Sequence, residues 1–383
     1  MTLTRFVTKS AFRNRRRSSL TVLSITFSLL LLTLMMTVWR AFYIDTGTAQ
    51  EAQRLVTRHR VSLTEWMPSF YREKIRAVPG VVAVAPNNWF GGLYIDDKPE
   101  HFFAQFGCDP DEIFKVFTDV QIPPDQLAAW QRDRAGTVVD SKLAEKFRWK
   151  LGDRIFVSGT IYPLNLELTV RGIFTAPQPT NSIYFNQKYV EEAVPFAKGQ
   201  AGMFDILVDR PENVAHVATT IDDMFRNSPE PTKTESEKAF QLSFINSMGN
   251  VKAFILSICF AVGFATLLVS ANTMAMSIRE RTREVAVLKT IGFTRQSILG
   301  FYVSEAIIVT LLGGLLGCLL AIAVVSLLAH TPGMGMFFAG MKITPPTFLL
   351  AILVSGAVGF LSAVIPAYHA AKIDIVEGLR YLG

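Results

Sequence analysis

Residues 253–278 read AFILSICFAVGFATLLVSANTMAMSI and contain no charged side chain. A helix needs roughly 20 consecutive apolar residues to cross the hydrocarbon core of a bilayer, so this run is long enough to span a membrane. Three further runs meet the same criterion, namely Ser18–Trp39, Ala306–Leu328 and Thr347–Tyr368. The sequence therefore predicts a membrane protein with an α-helical four-span bundle, in which one span is followed much later by three.

The composition excludes a fully soluble protein. Of the 383 residues, 50% are hydrophobic and only 18% are charged, whereas a soluble domain usually carries about a quarter charged residues. The mean hydropathy is +0.30. Two of the three cysteines, Cys259 and Cys318, lie in apolar runs and Cys108 stands alone, which excludes a disulfide-dense secreted scaffold.

The net charge of +6 is unevenly distributed along the chain. Residues 1–40 hold seven Lys and Arg and no acid, while residues 41–245 carry more acids than bases. The basic residues flank apolar runs instead of clustering with aromatics on a folded domain, so we expect no nucleic-acid partner. Short loops rich in Lys and Arg face the cytoplasm. This rule places both termini in the cytoplasm and residues 41–245 on the other side of the membrane.

The N-terminal apolar run has an alternative interpretation as a cleaved signal peptide. It exceeds the 7–15 residues of a signal-peptide core, and Arg40 follows it, so we interpret it as an uncleaved anchor. The predicted organisation is a basic amphipathic cytoplasmic helix (1–17), a first span (18–40), an extracytoplasmic α+β domain (41–245), a stalk and second span (246–278), a cytoplasmic coupling loop (279–299), a third span (300–329), an extracytoplasmic loop (330–346), a fourth span (347–368) and a cytoplasmic tail (369–383).

The 41–245 segment carries strand and helix patterns but no catalytic constellation. Its end, Asn227–Glu237, is polar with two prolines and is interpreted as a linker. The sequence contains no G-x-x-x-x-G-K-[ST] phosphate loop, so we expect a non-enzymatic chain that does not itself hydrolyse ATP, with no cofactor and no metal of its own. The widely spaced histidines are interpreted as surface or structural residues: His59, His101 and His216.

The stretch between the second and third spans, residues 278–298, reads IRERTREVAVLKTIGFTRQSI. Val285, Leu288 and Ile291 form an apolar stripe at helical spacing, and Gly292 is suited to end the helix. The remaining positions form a charged face: Arg279, Glu280, Arg281, Arg283 and Glu284. Such a helix is a candidate docking site for a partner. The alternative is a solvated loop whose bases only set the topology.

This stretch resembles the coupling segment of FtsX/MacB-type ABC transporter permeases, the type VII mechanotransmission class. Glu305 followed by Gly313, Gly314 and Gly317 is similar to a second pattern of that family, and the ending around Pro366–Ala367 and Glu377–Arg380 is similar to its C-terminal signature. The resemblance implies a MacB-like periplasmic domain in residues 41–245. It also implies that the residues contacting the ATPase are Glu280, Arg283, Glu284, Val285, Leu288 and Gly292.

The resemblance implies a permease subunit without a fused ATPase domain, which couples ATP hydrolysis on a separate LolD/MacB-like ABC ATPase to movement of the outer domain. ATP and Mg would lie on that partner. The expected activity is export of an amphiphilic substrate, often with a membrane-fusion adaptor protein. The expected assembly contains a second permease copy, as a homodimer. A transmission subunit that activates a cell-wall hydrolase is the alternative, and an ATPase-independent membrane sensor is a third, disfavoured by the coupling segment.

Three other features are candidates for packing or function. Glu305 lies near the cytoplasmic edge of the third span, where it has either a functional intramembrane role or a structural one at a helix start, which we favour. The loop His330–Met341 combines methionines with a histidine, which suits Cu(I) or haem iron, but an interfacial loop is the favoured interpretation. Small residues at i, i+4 spacing predict close helix packing: Gly313, Gly317, Ala321, Ser355, Gly359 and Ala363.

Overall fold

The computed structural model describes residues 15–44, 48–178, 180–247, 249–330, 341–372 and 376. The chain forms two compact units, one helical and one of mixed α+β structure. Residues 1–14 of the predicted N-terminal amphipathic helix, most of the Met-rich loop and most of the C-terminal tail lie outside the described residues.

Four helices of the helical unit are long and apolar enough to cross a membrane. We call them spans 1 to 4, and their bounds are Ser19–Tyr43, Val251–Glu280, Arg295–Ala329 and Pro345–Lys372. A short helix, Thr282–Thr290, connects spans 2 and 3, and we call it the coupling helix. The predicted arrangement of one span followed by three is confirmed.

One side of span 1 packs against the other three spans and contributes to the core of the helical unit. Its buried residues Ile25, Leu29 and Leu32 contact Cys259 and Val262 of span 2, Val309 of span 3 and Val354 of span 4. Many large apolar side chains on the outer faces of the spans are exposed, including Phe260, Leu319 and Leu353. Apolar outer faces are expected for helices surrounded by lipid.

The α+β unit is built on a nine-stranded mixed sheet. The long strand Asn165–Phe174 shows the alternation that forms such a sheet, since Leu166, Leu168 and Val170 are buried between exposed or half-buried neighbours. The strands of the unit are β1 (Arg54–His59), β2 (Met67–Pro68), β3 (Val81–Trp89), β4 (Ala104–Cys108), β5 (Gly136–Asp140), β6 (Arg154–Ser158), β7 (Asn165–Phe174), β8 (Ser182–Asn186), β9 (Gln200–Ala201), β10 (Met203–Val208) and β11 (Thr232–Ser236). The order in the nine-stranded sheet is β11-β1-β10-β3-β4-β8-β5-β7-β6, and β2 and β9 pair with each other in a separate two-stranded sheet.

Short helices cover this sheet. Asp140, at the end of β5, caps the helix Ser141–Phe147 because its side chain accepts a hydrogen bond from the Lys142 backbone N–H at 2.9 Å. The helices are Tyr71–Arg76, Ile113–Val116, Pro124–Arg132, Ser141–Phe147, Gln187–Ala193, Val214–Met224 and Glu237–Ser247.

The interpretation of Asn227–Glu237 as a linker is wrong. Residues Thr232–Ser236 form β11, an edge strand that pairs antiparallel with β1. The polar pattern is explained by partners inside the sheet: Thr57 Oγ1 and Thr234 Oγ1 are 2.9 Å apart, and Arg58 donates to Glu235 at 3.1 Å. A strand whose polar side chains are satisfied by neighbours lacks the apolar alternation by which strands are recognised in sequence.

Candidate functional site

The coupling helix begins directly after span 2 and ends at a glycine turn. Gly292 adopts φ +99°, a left-handed conformation that glycine tolerates and that ends helices. The Phe293 backbone N–H donates to the Leu288 carbonyl at 3.0 Å across this turn. Thr294 then caps span 3, because its Oγ1 accepts from the Ser297 backbone N–H at 3.2 Å. The coupling helix is thus bounded on both sides by defined backbone contacts.

The inner side of the coupling helix is part of the chain's own core. Val285 is fully buried, in a cluster with Ile278 of span 2 and with Ile298 and Tyr302 of span 3. Leu288 packs against the same cluster and is half-buried. The expectation that Val285 meets a partner is therefore wrong, because its side chain is already enclosed by spans of the same chain.

The outer side of the coupling helix and the turn after it carries apolar residues next to charges. Val287 is 42% exposed, Ile291 is 70% exposed and Phe293 is 44% exposed. Glu280, Arg283 and Glu284 are exposed as well. Of the predicted apolar stripe, Ile291 alone is exposed on this side. Phe293 was missed because it follows the glycine stop and so lies outside the helical periodicity.

A buried ion pair joins the start of the coupling helix to span 3. Arg281 Nη1 lies 3.2 Å from Glu305 Oε1 and 3.1 Å from Glu305 Oε2. The side chains are 10% and 5% exposed. Arg281 therefore does not belong to the exposed charged face on which the sequence placed it. One signal could have revealed the pairing, since an acid within an apolar helix requires a nearby cation.

The six small residues predicted to pack helices all lie at buried positions in spans 3 and 4. A Cβ on Gly313 would meet Ile25 Cγ2 of span 1 at 2.6 Å, and one on Gly317 would meet the Thr26 carbonyl at 2.8 Å. Between spans 3 and 4, a Cβ on Gly359 of span 4 would collide with Thr310 of span 3. Ser355 Oγ donates to the Thr310 carbonyl at 2.5 Å. Ala321 and Ala363 are fully buried.

The α+β unit contains a buried charged cluster that the sequence analysis did not identify. Arg54, at the start of β1, donates to Glu237 Oε2 at 2.5 Å and to Asp119 Oδ1 at 2.6 Å, and its guanidinium lies over the Phe117 ring. Burial raises the pKa of Glu237, against the opposing effect of Arg54. Nearby on β10, Asp205 is buried and accepts from Asn87 Nδ2 at 2.9 Å.

The described residues show no group of three or more His, Cys, Asp or Glu placed to hold a metal ion. His59 lies 3.2 Å from Glu230, and His101 contacts Asp96. These two histidines therefore have structural carboxylate partners. The loop His330–Met341, for which we favoured an interfacial role over a soft-metal site, falls mainly outside the described part of the chain.

Comparison with known families identifies the chain. The FtsX-like permease C-terminal family matches residues 254–375, which include the coupling helix and spans 3 and 4. The MacB-like periplasmic core domain matches residues 18–224, more than half of the chain. The chain belongs to the FtsX/MacB-type family of ABC transporter permeases. With four span-like helices, this permease is a multi-pass membrane protein.

Relatives of the permease cover different shares of its length. The ABC transporter permease MJ1507 of Methanocaldococcus jannaschii is 26% identical over 331 residues, which are 81% of this chain and 79% of the relative. YknZ of Bacillus subtilis, also an ABC transporter permease, is 33% identical over 141 residues, which are 35% of this chain and 34% of YknZ. The macrolide export ATP-binding/permease protein MacB of Agrobacterium fabrum is 35% identical over 28% of this chain and 16% of its own.

Two solved structures are similar to part of the permease. The match to the periplasmic region of MacB from Actinobacillus actinomycetemcomitans includes 54% of this chain and 99% of that structure, with a TM-score of 0.39 and 11% identity. The extracellular domain of YknZ is covered over 99% by 48% of this chain, with a TM-score of 0.34 and 13% identity.

Proposed function

We propose that this permease couples ATP hydrolysis by a separate ABC ATPase subunit to movement of its α+β domain, and so exports an amphiphilic substrate. The observation that carries the proposal is the coupling helix, which is fixed to the bundle on one side and exposes apolar residues beside charges on the other. A segment of this kind can both bind a partner and pass its movement to the spans.

The exposed side of the coupling helix is suited to a groove on an ATPase. Helices that bind in grooves draw affinity from apolar anchors, while charges set register and partner choice. Ile291 and Phe293, in the turn directly after the coupling helix, are the proposed anchors, and Glu280, Arg283 and Glu284 are the proposed polar contacts. Burying one side chain of Ile or Leu size contributes on the order of 2 kcal/mol, about thirtyfold in affinity.

The proposed orientation has both termini in the cytoplasm of a bacterial inner membrane and the α+β domain outside. The segment between spans 2 and 3 contains Arg279, Arg281, Arg283, Lys289 and Arg295, which fits the cytoplasmic side under the positive-inside rule. ABC ATPases work as dimers with two composite sites, and one permease offers one coupling helix. We therefore propose two permeases with two ATPases, most simply a homodimer, with ATP and Mg on the ATPase and a membrane-fusion adaptor outside.

The test is co-purification of the permease from membranes of its own host, with mass spectrometry to identify an ABC ATPase by its phosphate-loop peptides. The double variant Ile291→Ser with Phe293→Ser is expected to lower ATPase recovery by tenfold or more. Leu327→Ser is the matched control, because Leu327 is 70% exposed on span 3 but lies far from the coupling helix in sequence. Equal recovery from all three proteins would contradict the proposed docking side.

The same purification separates export from the alternative role. A membrane-fusion protein recovered with the ATPase would support a transporter. A cell-wall hydrolase recovered in its place would show a transmission subunit that transports nothing.

A further inference from the structure

The α+β domain is connected to span 2 by the helix Glu237–Ser247, which we call the junction helix. The junction helix follows β11 without a break and is separated from the first residue of span 2, Val251, by three residues. Any movement of span 2 that reaches the sheet along this part of the chain must pass through the junction helix. Its attachment to the sheet is therefore important for transmission.

The first residue of the junction helix is held by Arg54. The Arg54 guanidinium contacts Glu237 through Nε and Asp119 through Nη1, and the side chains of Arg54 and Asp119 are 6% and 8% exposed. Buried charge-assisted hydrogen bonds of this kind are short and directional. Arg54 thus connects β1, the junction helix and the segment after the helix Ile113–Val116 at one point.

The sheet register explains why Arg54 meets Glu237. In the antiparallel pair of β1 and β11, Leu55 lies opposite Ser236. Continuing that register by one residue places Arg54 opposite Glu237, the first residue beyond β11. The ion pair therefore extends the strand pairing into the start of the junction helix, where backbone pairing ends.

We propose that Arg54 is the positioning residue that fixes the junction helix to the sheet, so that movement of span 2 reaches the α+β domain through the Arg54–Glu237 contact. This inference rests on the proposed function, in which the spans move the α+β domain. It assigns the last step of that transmission to the contact between Arg54 and Glu237, whose side chains are 6% and 21% exposed.

The first experiment tests attachment without any partner. Hydrogen exchange is measured on the full chain in lipid nanodiscs. Arg54→Met is expected to lower amide protection in residues 238–247 by tenfold or more and to leave β5 and β7 unchanged. Arg72→Met is the matched control and is expected to leave this protection unchanged, because Arg72 pairs with Asp109 at 3.2 Å and with Glu112 at 3.5 Å, both outside the junction helix. Unchanged protection in Arg54→Met would overturn the inference.

The second experiment tests transmission. A dye on Arg132→Cys, an exposed position of the α+β domain, reports energy transfer to an acceptor lipid in nanodiscs that contain the permease and its ATPase, with and without ATP. Cys108 and Cys318 are buried, and Cys259 is replaced by alanine. The ATP-dependent change is expected to fall at least threefold in Arg54→Met and to be retained in Arg72→Met.

A disulfide provides the rescue. Leu55 and Ser236 are opposed residues of antiparallel strands, whose Cα atoms typically lie about 4.5–5.5 Å apart, within the range that a disulfide bridges, and Arg54 and Glu237 directly adjoin that pair. The double variant Arg54→Cys with Glu237→Cys, oxidised before labelling, is expected to restore the ATP-dependent change, and reduction is expected to remove it. A full change in Arg54→Met, or no effect of reduction, would overturn the inference while the proposed function stands. No ATP-dependent change in the unmodified permease would overturn the proposed function and the transmission role with it.

Discussion

Arg281 Nη1 lies within hydrogen-bonding distance of both carboxylate oxygens of Glu305, at 3.2 and 3.1 Å. Arg281 stands between the last residue of span 2 and the first of the coupling helix, and Glu305 lies in span 3. The contact therefore fixes the junction of span 2 and the coupling helix to a third element. In the proposed function, it makes the coupling helix move together with both spans.

Breaking this pair on one side is expected to destabilise the helical unit more than removing it entirely. A single change, Arg281→Met or Glu305→Leu, leaves a buried charge without its partner, which costs on the order of 3 kcal/mol. The double variant Arg281→Met with Glu305→Leu removes both charges and is expected to recover most of the loss. Thermal unfolding of the purified permease in detergent measures the three variants. A double variant less stable than either single one would contradict the expectation.

The topology predicts which cysteines react from outside the cell. Asp97 in the α+β domain and Thr294 after the coupling helix are both exposed, so failure to react cannot be attributed to burial. In intact spheroplasts, a membrane-impermeant maleimide is expected to label Asp97→Cys and to spare Thr294→Cys until the membrane is permeabilised. Labelling of both sites, or the reverse pattern, would refute the proposed orientation.

Gly317 is expected to be intolerant of even one methyl group. An alanine Cβ there would lie 2.8 Å from the Thr26 carbonyl and 3.0 Å from the Leu30 nitrogen, both backbone atoms of span 1. Overpacking of this kind typically costs about 1–3 kcal/mol, which exceeds the roughly 1 kcal/mol that alanine gains over glycine in a helix. Gly317→Ala should therefore lower the unfolding temperature in detergent.

The matched control lies in the same helix. A Cβ on Gly300 meets no atom within 4 Å, so Gly300→Ala should leave the unfolding temperature unchanged or raise it. A decrease of the same size in both variants would show that the contact with span 1 does not set the effect.

The spans could be predicted from sequence because their signal is local. A charge-free run of over 20 residues has few interpretations other than a membrane span. The coupling helix could also be predicted from sequence, since Gly292 marks its end and Thr294 marks the start of the next helix.

The remaining features depend on contacts between distant parts of the chain. Val285 and Ile291 look alike in the periodic pattern, but span 3 covers the first and leaves the second exposed. Arg281 looks like a topology charge until Glu305, 24 residues later, is seen beside it. β11 is polar because its side chains meet partners on β1, nearly two hundred residues earlier. Periodicity does not report which residues a distant segment will cover.

The buried carboxyl group of Asp205 keeps its proton at a higher pH than an ordinary aspartate does. Burial raises its pKa to about 7, and the negative charge of Glu237 acts in the same direction, while the hydrogen bond from Asn87 and the charge of Arg54 oppose the shift. Tyr184 and Cys108 respond to the Asp205 charge, and burial is the main cause of their raised pKa values. Between about pH 4 and pH 7, the folded chain therefore keeps a proton on Asp205 that the unfolded chain has released.

The consequence is a fall in the stability of the α+β domain as the pH rises through that window. Stability decreases with pH wherever the folded state binds more protons than the unfolded state, by up to about 1.4 kcal/mol per pH unit for one proton. Asp205→Asn removes the titrating group, so its unfolding should depend less on pH than that of the unmodified permease between pH 4 and 7, with parallel behaviour above. Four of the five tryptophans lie in this domain, namely Trp66, Trp89, Trp130 and Trp149. Tryptophan fluorescence during denaturant unfolding of the full chain in detergent therefore follows the unfolding of the α+β domain. Glu237 also has a raised pKa and is present in both proteins, so the contribution of Asp205 is the difference between their free energies of unfolding as a function of pH. Identical pH profiles would show that Asp205 ionises normally in the folded domain.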